Sequence, residues 1–193
     1  LFPPRRLHIL CEQCLRHLLR EPADRPRTAL RHAPPGVRAE EPRSQTKEDG
    51  MRVANELELR ERGSRYETFV YDLVLRDYNV QVKPCRTYEE QMSIGENHSG
   101  LEVKCQERCR EFGSLAIEYA ETTGNGRWVP SGIMREDNSK HLATGDWETV
   151  WVFTIPILRE IRPIMRAYMT LTSKGYILPL DEAERLCTAK LIP

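Results

Sequence analysis

The sequence predicts an α/β fold in which a mixed central sheet is flanked by helices. Two observations carry that expectation. Alternating or β-branched runs recur at residues 79–85, 101–106, 114–121, 149–155 and 174–180, and stretches of helical spacing lie before, between and after them. Hydrophobic residues make up 39% of the chain and aromatics 7%, enough for one core, while 30% charged residues cover a polar surface. At 193 residues there is room for one domain of ordinary size with extensions.

Residues 1–50 differ from the rest. Arg and Pro are frequent, Pro3-Pro4 and Pro34-Pro35 break any pattern, and only residues 7–19 hold enough Leu, Ile and Cys for a short helix. This part is expected to be a disordered or non-native upstream extension. Residues 47–51, Lys-Glu-Asp-Gly-Met, can be encoded by a purine-rich ribosome-binding sequence followed by a start codon. Met51 is therefore expected to be the natural start, with residues 51–193 the single domain.

From residue 51 to 63 the chain is charged and reads as a short helix or arm. Tyr66, Phe69, Val70, Leu73 and Val74 then recur at helical spacing, with Ser64 as a possible N-cap, so residues 66–75 predict the first core helix. Glu67 on that helix could approach a site, although an exposed carboxylate is its commoner role. Residues 79–85 predict the first strand. Residues 87–94 read either as a helical turn begun by Thr87 or as a strand leading to Glu96. Beyond the two central strands, residues 122–127 form a glycine-rich loop, either plain surface or in contact with a ligand. Residues 149–155 are the most strand-like run. Residues 156–168 predict an amphipathic helix begun by Pro156 and divided by Pro163, whose Arg159, Arg162 and Arg166 are a solvated face or phosphate contacts. A strand at 174–180 and a terminal helix from Asp181 to about Ala189 complete the order.

Chemistry concentrates at residues 94–121. In 101–106, Leu101, Val103 and Cys105 alternate with Glu102, Lys104 and Gln106, so a strand puts one acid and one ammonium on the same face, roughly 6.5–7 Å apart. In 114–121, Leu115, Ile117 and Tyr119 take one face and Glu118 the other, between Ala116 and Ala120, which leaves room beside its carboxylate for a metal or a phosphate. Gly95 and Gly100 bracket a polar segment that carries Glu96 and reads as a tight connection between two short strands. An acid-x-Lys triplet arises by chance on the order of once in a chain of this length, and a strand wetted on one side carries charges anyway. The convergence of three acids and a lysine carries more. A Mg²⁺ held by carboxylates neutralises charge on phosphoryl oxygens and makes water nucleophilic near neutral pH, and a lysine beside it orients or deprotonates that water or stabilises the transition state.

The ordered series Gly95-Glu-Asn, Gly100-Leu-Glu-Val-Lys104, Gly113-Ser-Leu-Ala-Ile-Glu118, Trp128-Val-Pro-Ser-Gly-Ile133 and Asp137-Asn-Ser resembles phage and bacterial proteins of the PD-(D/E)xK, or restriction-endonuclease-like, nuclease superfamily. The similarity runs from about Tyr66 to the C-terminus. It implies a restriction-endonuclease-like mixed sheet, a metal-dependent nuclease acting on DNA, Glu102 and Lys104 as the acid and lysine of the motif, and Glu96 where the preceding acid is usually Asp. Glu96, Glu102 and Glu118 are then the Mg²⁺ ligands, with Mn²⁺ as a substitute. Two positions depart from the pattern. Gln106 stands where an Asp is expected, and Phe112-Gly-Ser114 replaces Thr-Gly-Asn. The alternative is a catalytically weak or inactive nuclease fold that binds DNA or protein.

A formal net charge of zero argues against a nonspecific nucleic-acid coating protein but leaves room for a local basic cleft. No apolar run approaches the roughly 20 residues that cross a bilayer, which points to a cytoplasmic protein in a bacterial or phage-infected cell. A homodimer is one option among oligomeric states. The six cysteines form no regular framework: Cys11 and Cys14 have half of a zinc-ribbon spacing with no matching second pair. Cys105 is expected on the apolar side of its strand. His98 and His141 are isolated and read as solvated or structural.

Overall fold

The structure, a computed structural model, describes residues 47–193. The sequence features of residues 1–46, including the expected helix at 7–19 and the Cys11/Cys14 pair, lie outside the described residues.

Helix α1 (Lys47–Tyr78) merges the charged arm and the predicted core helix into one 32-residue element, and the expected boundary at Met51 falls inside it. Ser64 is therefore no N-cap. It lies in mid-helix, where its carbonyl accepts a hydrogen bond from the Thr68 hydroxyl at 3.0 Å. The second half of α1 carries its core face: Tyr66, Val70, Leu73 and Val74 are buried at the i, i+4, i+7, i+8 spacing of a single stripe. Asn79, in the left-handed region at φ 54°, turns the chain at its end.

The predicted strand at 79–85 is not formed. Val80 and Val82 are buried as alternation requires, but the segment makes only an isolated antiparallel bridge, Pro84 to Asn97. Pro84 has no N–H to extend a ladder. The ambiguity at 87–94 resolves as helix α2 (Tyr88–Ile94), whose N-cap Thr87 accepts from the Glu90 N–H at 3.1 Å. The glycine-bracketed loop therefore joins a helix to a strand, not two strands. Its geometry needs both glycines: Gly95 sits at φ +122° where a Cβ would overlap the Asn138 side chain, and Gly100 at φ +69° where one would meet the Asn138 carbonyl.

Among the described residues eight strands follow, interleaved with short helices: β1 (Leu101–Cys105), α3 (Cys109–Phe112), β2 (Ser114–Thr122), β3 (Trp128–Pro130), β4 (His141–Gly145), β5 (Val150–Thr154), α4 (Ile155–Ile161), β6 (Arg166–Met169), β7 (Ser173–Pro179), α5 (Leu180–Leu186) and β8 (Ala189–Leu191). They form two four-stranded sheets instead of the single central sheet expected. The first, in order β1-β4-β5-β8, is mixed, with β1 and β4 parallel and the other pairs antiparallel. The second, in order β3-β2-β7-β6, is antiparallel throughout. The glycine-rich loop at 122–127 is the turn of the β2–β3 hairpin.

Two further expectations are corrected at the C-terminal side. The helix expected over 156–168 stops at Ile161; a 3₁₀ turn at Arg162–Ile164 contains Pro163, and the chain leaves it as edge strand β6. The terminal helix ends at Leu186, and residues 189–191 pair with β5 as β8. Asp181 lies within the first turn of α5, not at its cap.

Alternation along the first sheet divides the core. Leu101, Val103, Ala143, Val150 and Val152 face α1, while Leu142, Trp151 and Phe153 face Leu115, Ile117, Tyr176 and Leu178 of the second sheet together with α4 and α5. Burying these side chains is worth about 1.5–3 kcal/mol for each Val, Leu, Ile or Phe. Glu102 pairs in register with Leu142 and Lys104 with Thr144, so both polar residues belong to the face that turns toward the second sheet. His141 is structural: it is buried on β4, neither ring nitrogen has a hydrogen-bond partner, and burial pushes its pKa down to about 4, which keeps it neutral.

Candidate active site

Glu96, Glu102, Lys104 and Glu118 line one cleft of about 250 Å³, together with Glu121, Ser131 and Arg135. The two sheets supply its walls. β1 brings Glu102 and Lys104 from the first sheet, and β2 brings Glu118 and Glu121 from the second.

Lys104 is the centre of charge. Its Nζ lies 3.1 Å from Glu96 Oε1 and 3.5 Å from Glu102 Oε1. Glu96 is held at both oxygens, since its Oε2 accepts from the Val103 N–H at 3.3 Å. β1 is an edge strand, and the Glu96 carboxylate takes one of its backbone donors. The loop that delivers Glu96 is knotted by Asn97. The Asn97 Oδ1 accepts from Ser99 N–H and Leu101 N–H, and its Nδ2 donates to the Leu101 carbonyl and the Tyr71 hydroxyl.

Glu102 and Lys104 respond differently to this environment. The Glu102 side chain is 8% exposed, and burial pushes its carboxyl up; Lys104 pulls it down, but Glu96 and Asp137 add to the rise. Lys104 loses solvation as well, yet the carboxylates of Glu96 and Glu102 outweigh that loss and hold its pKa above the ordinary lysine value. With half of its side chain in solvent, Lys104 keeps its proton, whereas burial governs Glu102.

On the second sheet, Glu118 Oε1 accepts from the Ser131 hydroxyl at 2.6 Å. A bulge between Glu118 and Ala120 interrupts the pairing of β2 with β7. The extra residue, Tyr119, reverses the phase of the strand beyond it, so Glu121 joins Glu118 at the cleft and simple alternation fails. Nothing in the sequence signals this.

Glu67 also turns out to face the site, against the reading of it as an exposed helical carboxylate. It shares a second cavity of about 640 Å³ with Lys104. Its carboxyl is raised by burial and by Glu96, with Lys104 opposing. Gln106 contributes no ligand. Its side-chain amide accepts from the Ala116 N–H at 2.7 Å and donates to the Ala116 carbonyl at 3.0 Å and Thr144 Oγ1 at 2.8 Å, tying the end of β1 to β2. At the other departure, Gly113 ends α3 at φ +65°. The arginines of the predicted amphipathic helix are partly spent on structure: Arg159 donates to the Ile133 carbonyl, and Arg162 stacks on Tyr119 at 4.1 Å.

The donor chemistry suits a hard cation, because carboxylate oxygens are its preferred ligands and Glu96 and Glu102 already converge on one positive charge, the Lys104 ammonium. Among the described residues, the group of three potential ligands whose donor atoms all lie within 4.8 Å of one another is a different one, Cys85, Glu90 and His98. Glu96, Glu102 and Glu118 share a cleft without that mutual approach. Among the described residues no helix is long and apolar enough to cross a membrane. Compared with known proteins, the chain matches no family model, no curated protein and no solved structure.

Proposed function

We propose that this chain is a metal-dependent nuclease that hydrolyses DNA phosphodiester bonds, with Glu96, Glu102 and Glu118 as the residues that hold Mg²⁺ and Lys104 acting at the attacked phosphate. The observation that carries this reading is the acid-x-Lys pair of β1, with Glu96 at 3.1 Å from the ammonium and Glu118 lining the same cleft from the second sheet. Bound Mg²⁺ supplies charge neutralisation at the phosphoryl oxygens and a water of lowered pKa. The residues do the rest. Lys104, kept protonated by its carboxylate neighbours, serves as a point charge for the phosphoryl oxygens and not as the base. Arg135 lies at the same cleft, as a second cation for a phosphate.

The second reading, a weak or inactive nuclease fold that binds DNA or protein, draws on Gln106. That side chain is committed to Ala116 and Thr144, and the three carboxylates do not reach one another's ligand distance. Incubating the purified protein with supercoiled and linear DNA, with Mg²⁺ or Mn²⁺ and with chelator, separates the two. Cleavage that requires the cation and disappears in Glu102→Gln supports the nuclease. DNA retained in a mobility shift, without cutting at any cation concentration, supports the binding module.

A further inference from the structure

Cys85, Glu90 and His98 stand together outside the acid-x-Lys cleft, with the thiol sulfur, a carboxylate oxygen and an imidazole nitrogen all within 4.8 Å of one another. Three segments converge there. The bridge between Pro84 and Asn97 sets Cys85 and His98 on neighbouring segments, and the His98 backbone N–H donates to the Lys83 carbonyl at 2.9 Å. Glu90 comes from the first turn of α2, where Thr87 accepts its N–H. The Arg86 N–H binds Glu90 Oε2 at 2.6 Å, and Glu90 Oε1 lies 3.9 Å from His98 Nε2. Cys85 Sγ reaches the Gly95 carbonyl at 3.3 Å.

The His98–Glu90 contact joins two of these groups, and the thiol, whose proton reaches the Gly95 carbonyl, adds a third donor beside them. The set of one sulfur, one nitrogen and one oxygen has a chemical logic of its own. Zn²⁺ binds Cys sulfur at about 2.3 Å, His nitrogen at about 2.0–2.1 Å and Glu oxygen at about 2.0–2.2 Å in tetrahedral geometry, whereas Mg²⁺ takes oxygen donors. Those bond lengths put tetrahedral donors about 3.3–3.7 Å apart, so the His98–Glu90 separation of 3.9 Å needs to close by only a few tenths of an ångström.

We infer that Cys85, Glu90 and His98 form a zinc-type site for a thiophilic divalent cation, with solvent in the fourth position. Binding releases the thiol proton to solvent and involves no change of oxidation state. The site lies two residues from Glu96 in sequence, so a cation there clamps the segment before α2, α2 itself and the loop that delivers Glu96 to Lys104. It is separate from the carboxylate cleft and stands whether or not that cleft cleaves DNA.

The test uses the full chain, kept reduced, with Co²⁺ as the spectroscopic probe. One equivalent should give a thiolate-to-Co²⁺ charge-transfer band and the visible bands of four-coordinate Co²⁺, displaced by Zn²⁺ and not by excess Mg²⁺. Cys85→Ser should abolish the charge-transfer band. His98→Asn, a change at a side chain 41% exposed, should weaken Co²⁺ binding about tenfold or more. The paired substitution Cys11→Ser and Cys14→Ser should leave the band intact, which separates this site from that pair of thiols. The inference is overturned if wild type gives no thiolate band, if the band survives Cys85→Ser, or if it vanishes with the Cys11/Cys14 pair. Should Cys85→Ser fail to fold by circular dichroism, His98→Asn decides, and unchanged Co²⁺ affinity in that variant overturns the site.

Discussion

Gln106 is paired with Ala116 as one strand is paired with another: its side-chain oxygen accepts the Ala116 N–H at 2.7 Å and its nitrogen donates to the Ala116 carbonyl at 3.0 Å. The amide of one side chain thereby does the work of a peptide group at the junction of the two sheets. An aspartate, which the resemblance leads one to expect at this position, is shorter and has no donor.

Gln106→Asp is therefore expected to destabilise the fold by about 1–3 kcal/mol, because the Ala116 carbonyl loses its donor and gains a facing carboxylate. Urea unfolding at neutral pH measures this. Mn²⁺ affinity, followed by calorimetry, should not improve. A variant as stable as wild type with tighter Mn²⁺ binding would assign Gln106 to a lost ligand position and not to the junction.

Glu102 and Lys104 were legible in the sequence because a strand has a period of two and both lie on its polar phase. Glu96 and Glu118 followed from their distance along the chain and from the small neighbours of Glu118. Glu121 was hidden, because a bulge at Tyr119 inverts the phase and bulges depend on the partner strand. Glu67 was left open between the site and an exposed face, because its helical face is set by how α1 lies across β1. Of the strands, β1, β2, β5 and β7 were visible and the one expected at 79–85 did not form; the division into two sheets was not visible, since which strands pair is decided by contacts between β2 and β7, more than 50 positions apart in chain order. Short β4, with a histidine and a glycine at its ends, has little local signal, and β8 competes with the helical pattern that precedes it.

Asp146 should make the fold acid-sensitive. Burial alone would raise its carboxyl, but the Glu148 and Thr149 N–H groups at 2.9 and 2.8 Å and the Arg110 guanidinium at 2.7 Å hold it below the usual aspartate range. A depressed folded pKa gives stability that is present above the unfolded value, about 3.9, and is lost as pH falls through the folded one. Asp146→Ala should cost about 1–3 kcal/mol at pH 7 through the lost turn hydrogen bonds, since Arg110 keeps Thr149 and Glu148 as partners. Urea midpoints measured at pH 7 and pH 3 should show the gap between wild type and variant narrowing at the lower pH.

Glu67 should act in the opposite sense. Burial and Glu96 raise its carboxyl, with Lys104 opposing, so the folded state holds that proton more tightly than the unfolded chain. Stability then falls as pH rises from the ordinary glutamate value through the raised one, and stays lower above it. Glu67→Gln removes the charge and keeps the shape. Its melting temperature should exceed that of wild type at pH 8, with the difference vanishing near pH 4; a variant no more stable at pH 8 would show that Glu67 is well compensated.

The last prediction separates the two halves of the acid-x-Lys pair under the proposed nuclease activity. Glu102→Gln keeps the side-chain shape but loses the charge that a hard cation requires, so Mn²⁺ affinity should fall and cleavage with it. Lys104→Ala should behave differently. It removes the ammonium 3.1 Å from Glu96 and 3.5 Å from Glu102, leaving two carboxylates to repel each other, so the variant should be less stable in chelator and bind Mn²⁺ as well as or better than wild type. Its cleavage should nevertheless slow by about 10²-fold or more, because the point charge beside the phosphate is gone. Lys104 is held protonated by its neighbours, so cleavage by wild type at saturating Mn²⁺ should need no deprotonated lysine and should already be active at pH 7. Calorimetric Mn²⁺ titration, thermal unfolding in chelator and single-turnover cleavage across pH, run on all three proteins, read each part of the pattern. Equal cleavage by wild type and Glu102→Gln would move any nuclease activity away from β1, and a Lys104→Ala variant that loses Mn²⁺ binding would mean that Lys104 orders the carboxylates and does not serve the phosphate.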